Sequence, residues 1–303
     1  MMKGVVKAIV LILSTSCLSA VNVPSNHLVS SGWLKQHVGD SSLVVIDTRS
    51  KWMYKRGHIK GALSYPKNLF FQGREGNIKG LPASELKIQE ILQKAGASSD
   101  TAVVFYNGGK KPKDFAGAAS ALWNFWLYGF ENVALLDGGF KKWKLEHKVI
   151  SKKIPIIKRS DFLFYGGNNE RSSMALLSDV VDALSDDSYQ IVDARSSRYF
   201  KGKAKRKGFA RHGHIVHSRL LPIISLIKRK HHYYTFASSK RMKSIFKKKV
   251  NLENPMIVYC NSGFHARGLW FISKFLMKVR DVQVYDAGML EYSRSKYPIE
   301  KGR

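Results

Sequence analysis

The sequence predicts two α/β domains in tandem, each with a mostly parallel sheet flanked by helices. Two observations support this prediction. Short apolar runs alternate with helical stretches along the whole chain, an order typical of parallel sheets. The same series of motifs also occurs twice, with a period of about 150 residues, which leaves each copy the length of an ordinary domain.

The first repeated element is a buried strand that ends in a polar turn. Residues 43–50 read LVVIDTRS and residues 189–196 read YQIVDARS. A continuous apolar run of this length is typical of a strand that is covered on both faces of a parallel sheet. We expect Asp47 and Asp193 to be structural turn residues, and Arg49 and Arg195 to hold the turns by local hydrogen bonds.

Four further elements follow in the same order in both halves. They are a Gly-His-Ile motif, a strand that ends at a loop, a helix, and a strand that ends at an aspartate. They occupy residues 56–62, 103–107, 116–128 and 135–140 in the first half, and residues 212–218, 257–260, 266–278 and 284–289 in the second.

The chain divides into four predicted segments. Residues 1–20 are predicted to be a secretory signal, residues 21–150 the first domain, residues 151–171 a linker and residues 172–303 the second domain. The signal has Lys3 and Lys7 before a short apolar run and then small residues. We expect export, most simply to the periplasm. Cleavage by the ordinary route, cleavage by the lipoprotein route at Cys17, and a buried N-terminal strand remain alternatives.

The chain is strongly basic. Its formal net charge is +29, and residues 201–250 contain no Asp or Glu. Such a surface attracts anions of every kind. Three interpretations of the basic segment 201–250 remain open. It is simply a solvated surface, it attracts anionic donors toward the active site, or it binds a polyanion or an acidic membrane surface. We expect no specific nucleic-acid binding, because no nucleic-acid-reading motif accompanies the charge and the signal predicts export.

Cys260 follows the strand at residues 257–259 and precedes a small polar loop and a helix. We expect loop amides and the helix N-terminus to favour its thiolate, which is the nucleophilic form. After removal of the signal, Cys260 is the single cysteine. An internal disulfide is then excluded, so any sulfur that it carries must leave to an external acceptor.

These duplicated motifs resemble the tandem-domain rhodanese family of sulfurtransferases across nearly the whole chain after the signal. The resemblance implies that the second domain is catalytic through Cys260. It implies that the first domain is inactive, because Asn107 stands at the matching position. The loop fits the family pattern Cys-x-x-Gly-x-x-Ala, so the resemblance implies that the loop residues cradle a persulfide: Asn261, Ser262, Gly263, Phe264, His265 and Ala266.

The resemblance also bears on the donor. Ser262 favours the mercaptopyruvate-using branch, although the matching first-domain segment 68–82 lacks the histidine of that branch. Arg198 resembles the family's substrate-binding arginine, and a planar guanidinium suits a carboxylate or sulfonate. Arg267 is predicted to contribute to substrate binding by adding positive field near the thiolate; the alternative is an exposed residue in the first turn of the helix. His265 is either a donor-binding group or a solvent-facing residue.

The predicted function is transfer of a sulfane sulfur from thiosulfate or 3-mercaptopyruvate to a thiol, cyanide or a thioredoxin-like protein. We expect no cofactor. We also expect no metal, because one cysteine and scattered histidines lack ligand spacing. One alternative is a non-enzymatic protein that binds an anionic partner. Another is a cysteine phosphatase, but its Cys-x5-Arg pattern would require arginine where Ala266 stands.

Overall fold

The computed structural model describes residues 20–302 except 73, 76, 77 and 167. Residues 1–19 of the predicted signal, which include Cys17, lie outside the described residues. Among the helices that are described, none has both the length and the apolar character needed to cross a membrane.

The first domain contains a five-stranded parallel sheet with the strand order β1-β8-β7-β2-β4. Its strands are β1 (Leu28–Val29), β2 (Leu43–Asp47), β3 (His58–Ile59), β4 (Leu63–Ser64), β5 (Arg74–Glu75), β6 (Ile78–Lys79), β7 (Ala102–Tyr106), β8 (Val133–Leu136) and β9 (Ile150–Ser151). Its helices are α1 (Ser31–His37), α2 (Lys51–Lys55), α3 (Glu85–Lys94), α4 (Pro112–Leu127) and α5 (Gly139–Leu145), with a 3-10 helix at Lys67–Phe70.

The second domain repeats this sheet with the order β10-β17-β16-β11-β13. Its strands are β10 (Met174–Ala175), β11 (Gln190–Asp193), β12 (His214–Ile215), β13 (Arg219–Leu220), β14 (Ile227–Lys230), β15 (Tyr233–Phe236), β16 (Met256–Tyr259), β17 (Val282–Tyr285) and β18 (Ile299–Glu300). Its helices are α6 (Glu170–Ser173), α7 (Leu177–Asp182), α8 (Ser197–Phe200), α9 (Ser239–Lys247), α10 (Phe264–Phe271) and α11 (Gly288–Tyr292), with a 3-10 helix at Ile223–Leu226 and a π-helical turn at Ile272–Leu276. The predicted fold class is confirmed.

The two sheets share their register as well as their strand order. Asp47 at the end of β2 pairs with Tyr106 at the end of β7, and Asp193 pairs with Tyr259 in the same way. Both loops that follow therefore leave their sheet at the same point, the carboxyl edge, where open α/β sheets place their ligands.

One buried apolar cluster runs through both domains, with α4 and α10 packed against each other at its centre. The helices approach closely because Gly268 has no side chain: a Cβ there would lie 3.3 Å from the Cα of Ala116. Trp126 on α4 meets Trp270 on α10 edge to face, with ring centroids 6.0 Å apart. An apolar core shared by the two domains thus joins them.

The predicted linker runs along the first domain in an extended conformation. Ser160 donates from its backbone N–H to the carbonyl of Gln93 at 2.9 Å, and from its hydroxyl to the carbonyl of Ala97 at 2.6 Å. The Gln93 side chain in turn donates to the carbonyl of Phe162 at 2.9 Å. These bonds fix the chain against the end of α3 before it enters the second domain.

The three runs of basic residues within segment 201–250 lie on different elements. Residues 201–207 form the connection between α8 and β12, residues 228–232 form most of the tip of the β14–β15 hairpin, and residues 247–249 end α9.

Trp270→Ala should destabilise the whole protein, because the wholly buried indole lies in the core that joins the domains. We expect a loss of about 3–5 kcal/mol, the usual cost of truncating a buried aromatic residue. Urea unfolding followed by circular dichroism measures it. Trp52→Ala is the control, since Trp52 is 62% exposed and its loss should stay within about 0.5 kcal/mol. Two well-separated transitions in the native protein would contradict a shared core.

Candidate active site in the loop after strand β16

The loop between β16 and α10 consists of residues 260–263, and its shape depends on Gly263. This glycine has φ +72°, in the left-handed region that side chains rarely adopt. A Cβ at Gly263 would lie 1.9 Å from Oδ1 of Asp286, which leaves no room for any other residue. Gly263 therefore permits the tight curve of the loop.

Cys260 lies at the bottom of this loop and is 3% exposed; it is the only free cysteine among the described residues. Burial raises the pKa of its thiol. Hydrogen bonds from the backbone N–H groups of Ser262, Ala266 and His265 act in the opposite direction, and burial outweighs them. The predicted amide cradle is present, but the prediction that it favours the free thiolate over the thiol is wrong.

The matching loop of the first domain is anchored in the same way. The carbonyl of Cys260 accepts a hydrogen bond from the backbone N–H of Met289 at 3.0 Å. The carbonyl of Asn107 accepts one from the backbone N–H of Phe140 at 2.8 Å. Asn107 therefore occupies the position of Cys260, as the sequence predicts.

Arg267 is wholly buried and forms an ion pair with Asp286, with Nε 2.8 Å from Oδ1 and Nη2 2.6 Å from Oδ2. Nη2 also donates to the carbonyl of Gly80 in the first domain at 3.0 Å. The guanidinium lies over the rings of Phe71 and Trp123, at 4.9 and 4.6 Å from their centroids. The prediction that Arg267 binds substrate is corrected: it fixes the catalytic loop against the first domain.

The first domain closes over the loop at Gly80 and at Lys67. A Cβ on Gly80 would lie only 3.4 Å from the carbonyl oxygen of Ser262. The ammonium of Lys67 lies 5.1 Å from the ring centroid of Phe264. Gly80 and Lys67 thus bring the first domain against the loop, and segment 68–82 lacks the histidine of the mercaptopyruvate-using branch.

His265 is half-buried beside the loop. Burial lowers the pKa of its imidazole, and the positive charges of Arg206 and Lys113 lower it further. The imidazole is therefore neutral at pH 7, and we expect it to act through a hydrogen bond rather than a charge. Arg206 belongs to the basic run 201–207, so this part of the basic segment lies close enough to influence the loop.

The repeated aspartate–arginine turns hold the strand ends beneath both loops. Arg195 contacts Asp193 through Nε and Nη2 at 2.6–2.9 Å and donates to the carbonyl of Gly213 at 2.8 Å. Both side chains are buried. Arg49 and Asp47 repeat the arrangement in the first domain. These residues are structural, as the sequence predicts.

Arg198 and the histidines of the two Gly-His-Ile motifs lie on other elements than the loop. Arg198 is an exposed residue of α8, so its contact with a donor stays a prediction. His58 and His214 are buried, and their Nδ1 atoms lie 3.0 and 2.8 Å from the carbonyls of Tyr54 and Phe200. In the part of the chain that the structure describes, no group of three or more acidic, histidine or cysteine residues could hold a metal ion.

Arg267→Met should destabilise the protein by about 3–5 kcal/mol at pH 7, because it leaves the Asp286 carboxylate buried without its counter-charge. Urea unfolding measures the loss. Arg198→Met is the matched control, since the same change at an exposed position should stay within about 0.5 kcal/mol. Equal, small effects of both variants would show that the buried pair does not hold the loop.

Alkylation of Cys260 by iodoacetamide should rise steeply with pH and remain far from its plateau at pH 8. Burial raises the pKa of the thiol, so the reactive thiolate fraction grows only above the ordinary range of a cysteine, about 8.5. Modification is followed by intact mass, with a small free thiol titrated in parallel. A plateau already reached at neutral pH would mean that the loop amides outweigh burial.

Comparisons with known proteins agree with this geometry. The chain is 29% identical over 290 residues to a Saccharopolyspora erythraea protein provisionally named a thiosulfate sulfurtransferase, with 90% of this chain and 95% of that protein covered. It is 26% identical to the thiosulfate sulfurtransferase of Corynebacterium glutamicum, with 91% and 90% covered. The 3-mercaptopyruvate sulfotransferase of Escherichia coli has the same fold, with a TM-score of 0.73, 23% identity, and 86% of this chain and 98% of that chain covered.

The names of these relatives confirm the predicted enzyme class, that of the sulfurtransferases. The family description "Rhodanese-like domain" matches residues 30–146 and again residues 176–295. These two matches cover one domain each and together span most of the chain. The chain therefore belongs to the rhodanese-like family, in which it carries the domain twice.

Proposed function

We propose that this protein transfers a sulfane sulfur from an anionic donor, thiosulfate or 3-mercaptopyruvate, to a thiophilic acceptor through a persulfide on Cys260. One observation carries the proposal. A single buried cysteine lies in a four-residue loop, and the backbone N–H groups of Ser262, His265 and Ala266 lie close enough to its sulfur to lower the pKa of the thiol against the effect of burial. Such a ring of amides stabilises an anion, and the persulfide is the anion that the reaction would leave in the loop.

In the first half-reaction the Cys260 thiol loses its proton and the thiolate attacks the outer sulfur of the donor. A new sulfur–sulfur bond forms. The donor's own bond to that sulfur breaks, and the bonding electrons leave with sulfite or with the enolate of pyruvate. In the second half-reaction the acceptor attacks the terminal sulfur and releases the Cys260 thiolate. Substrate and product therefore alternate on one enzyme, so ping-pong kinetics are expected.

Positive charge around the loop supports an anionic donor. Arg206 and Lys113 both lie close enough to lower the pKa of the His265 imidazole. Lys67 reaches the face of Phe264. Attraction of an anion to these cations raises its local concentration next to a thiol that is itself uncharged.

The proposed donors and acceptors are inferred from the residues in and around the loop. Ser262 favours mercaptopyruvate, and the absence of a histidine in segment 68–82 removes part of that preference, so both donors remain. Cys260 is the only cysteine in the part of the chain that is described. We therefore propose an external acceptor: cyanide, a small thiol or a thioredoxin-like protein.

We also propose that the protein acts after export, most simply in the periplasm. The proposal rests on residues 1–20, with two lysines before a short apolar run and small residues at its end. Intact mass of protein recovered from the periplasmic fraction tests it, because cleavage before Val21 removes the first 20 residues. A full-length protein retained in the cytoplasm would contradict it.

Purified protein incubated with thiosulfate, and separately with mercaptopyruvate, should gain the mass of one sulfur, about 32 Da, on a single site. Dithiothreitol should remove the added mass. Cys260→Ser should never acquire it, since the nucleophile is absent. The donor that loads faster under equal conditions identifies the branch.

No gain of mass with either donor would contradict the proposed donors. If the protein also fails to turn over either donor in a steady-state assay with cyanide, the non-enzymatic alternative is favoured. A gain of mass that persists in Cys260→Ser would show that the sulfur is carried elsewhere.

A further inference from the structure

The first domain contains a cavity of about 650 Å³ at the carboxyl edge of its own sheet. Its walls are the turn after β2, the start of the 3-10 helix, the loop after β7 and the helix α5. None of its lining residues belongs to the catalytic loop 260–266. This cavity lies where the inactive domain would have held a substrate, at the residue that replaces the cysteine, and the sulfur-transfer reaction gives it no role.

Six lysines line this cavity: Lys67, Lys110, Lys111, Lys113, Lys141 and Lys144. None of the six ammonium groups lies within ion-pair distance of a carboxylate among the described residues. The one acidic side chain in the wall is Asp114, which accepts the backbone N–H groups of Lys110 and Lys111 at 3.1 Å each. Positive charge therefore exceeds negative charge by a wide margin.

Asn107 supplies an independent indication of a ligand. Its side chain is 3% exposed and lies in the cavity wall. Oδ1 accepts the backbone N–H of Gly109 at 2.6 Å, which fixes the orientation of the amide. The remaining nitrogen, Nδ2, is buried with no hydrogen-bond partner in the structure. A buried donor without an acceptor is costly, and an anionic oxygen in the cavity would satisfy it.

The cavity also offers an aromatic surface. Trp52 lines it and is 62% exposed, with the guanidinium of Arg56 at 4.6 Å from its ring centroid. The volume lies within the range of about 300–1,000 Å³ that small-molecule sites have. A ligand that combined several anionic groups with a flat ring would use the lysines and the tryptophan together.

We propose that this cavity of the first domain binds a small molecule that carries an oligophosphate group, either as free oligophosphate or as part of a nucleotide. The terminal phosphate oxygens lie against the lysines and accept the free N–H of Asn107. In a nucleotide the base lies on Trp52. The cavity shares Lys67 and Lys113 with the positive charges beside the Cys260 loop, but it contains no residue of that loop itself, so binding in it is tested separately from sulfur transfer.

Isothermal titration calorimetry of the whole mature protein with tripolyphosphate, ATP and orthophosphate, at fixed ionic strength, tests the proposal. We expect one saturable site per chain for tripolyphosphate and ATP, and much weaker binding of orthophosphate, because fewer charges reach the lysines. If ATP binds more tightly than tripolyphosphate and Trp52→Ala abolishes that difference, the ligand is a nucleotide. If the two bind equally, the ligand is the free oligophosphate.

The double variant Lys110→Gln/Lys111→Gln should weaken binding of tripolyphosphate by about tenfold or more, because each lysine contributes a direct charge contact. Both residues are exposed, so the fold should be unaffected. The matched control is Lys240→Gln/Lys243→Gln on α9, which removes the same charge from another basic groove. We expect the control to change the affinity less than twofold.

Asn107→Asp tests the role of the buried amide. The new side chain has the same size, but its carboxylate repels phosphate where the amide would donate a hydrogen bond to it. Binding should be lost while Cys260 still accepts sulfur from the donor. Circular dichroism and thermal melting show that the variant is folded; Asn107→Ser replaces it if it is not. The proposal is overturned if no saturable binding occurs, or if the α9 control weakens binding as much as the cavity variant does.

Discussion

The arrangement of both strand-end loops depends on a reciprocal contact, in which each domain covers the loop of the other. The carbonyl of Gly80 in the first domain accepts the Arg267 side chain, which holds Asp286 in the second. In the other direction, Thr235 on the β14–β15 hairpin donates to Asp137 of the first domain at 2.6 Å. Each strand-end loop therefore has part of its surroundings supplied by the other domain.

The two halves of this contact use different chemistry. Arg267 is the fourth residue of α10, and Phe115 is the fourth residue of α4. Phe115 packs edge to face on Phe236 at 5.0 Å, while the backbone N–H of Phe236 donates to Asp137. The inactive domain thus satisfies its aspartate with neutral donors. The catalytic domain uses a buried ion pair, whose separation would leave two uncompensated charges in a dry core. The loop that contains Cys260 therefore depends on a charge pair, whereas the loop that contains Asn107 does not.

The sequence was sufficient for the parts of the structure that depend on local pattern. Buried strands that end in Asp47 and Asp193 were predictable because continuous apolar runs are typical of parallel strands. The match between Asn107 and Cys260 followed from the repeat alone. The role of Arg267 was not predictable, because the first turn of a helix is normally exposed and only the neighbouring domain buries this one. The sequence feature that would have indicated the role of Arg267 is Asp286, because a charged residue at the end of a buried strand requires a partner.

The pKa of Cys260 could not be predicted for a related reason. The sequence indicates the loop amides and the helix start, which favour a negative charge, but it does not show how completely the first domain excludes water. Burial depends on Gly80 and Lys67, which lie about 180–200 positions away along the chain. A feature that stabilises charge can be identified locally, whereas the desolvation that opposes it depends on the tertiary fold.

A buried thiol with a raised pKa is compatible with the proposed reaction, because the loop has to stabilise the charge of the intermediate rather than that of the resting enzyme. The cost of placing an ion in a dry site falls as its charge is spread over a larger group. A persulfide spreads its charge over two sulfur atoms, so burial penalises it less than it penalises a thiolate. The N–H groups of Ser262, His265 and Ala266 are already oriented toward the sulfur and need not reorganise when that charge arrives. Burial therefore favours the protonated form of the resting cysteine, and in the proposed reaction the same amides stabilise the sulfur that the donor leaves behind.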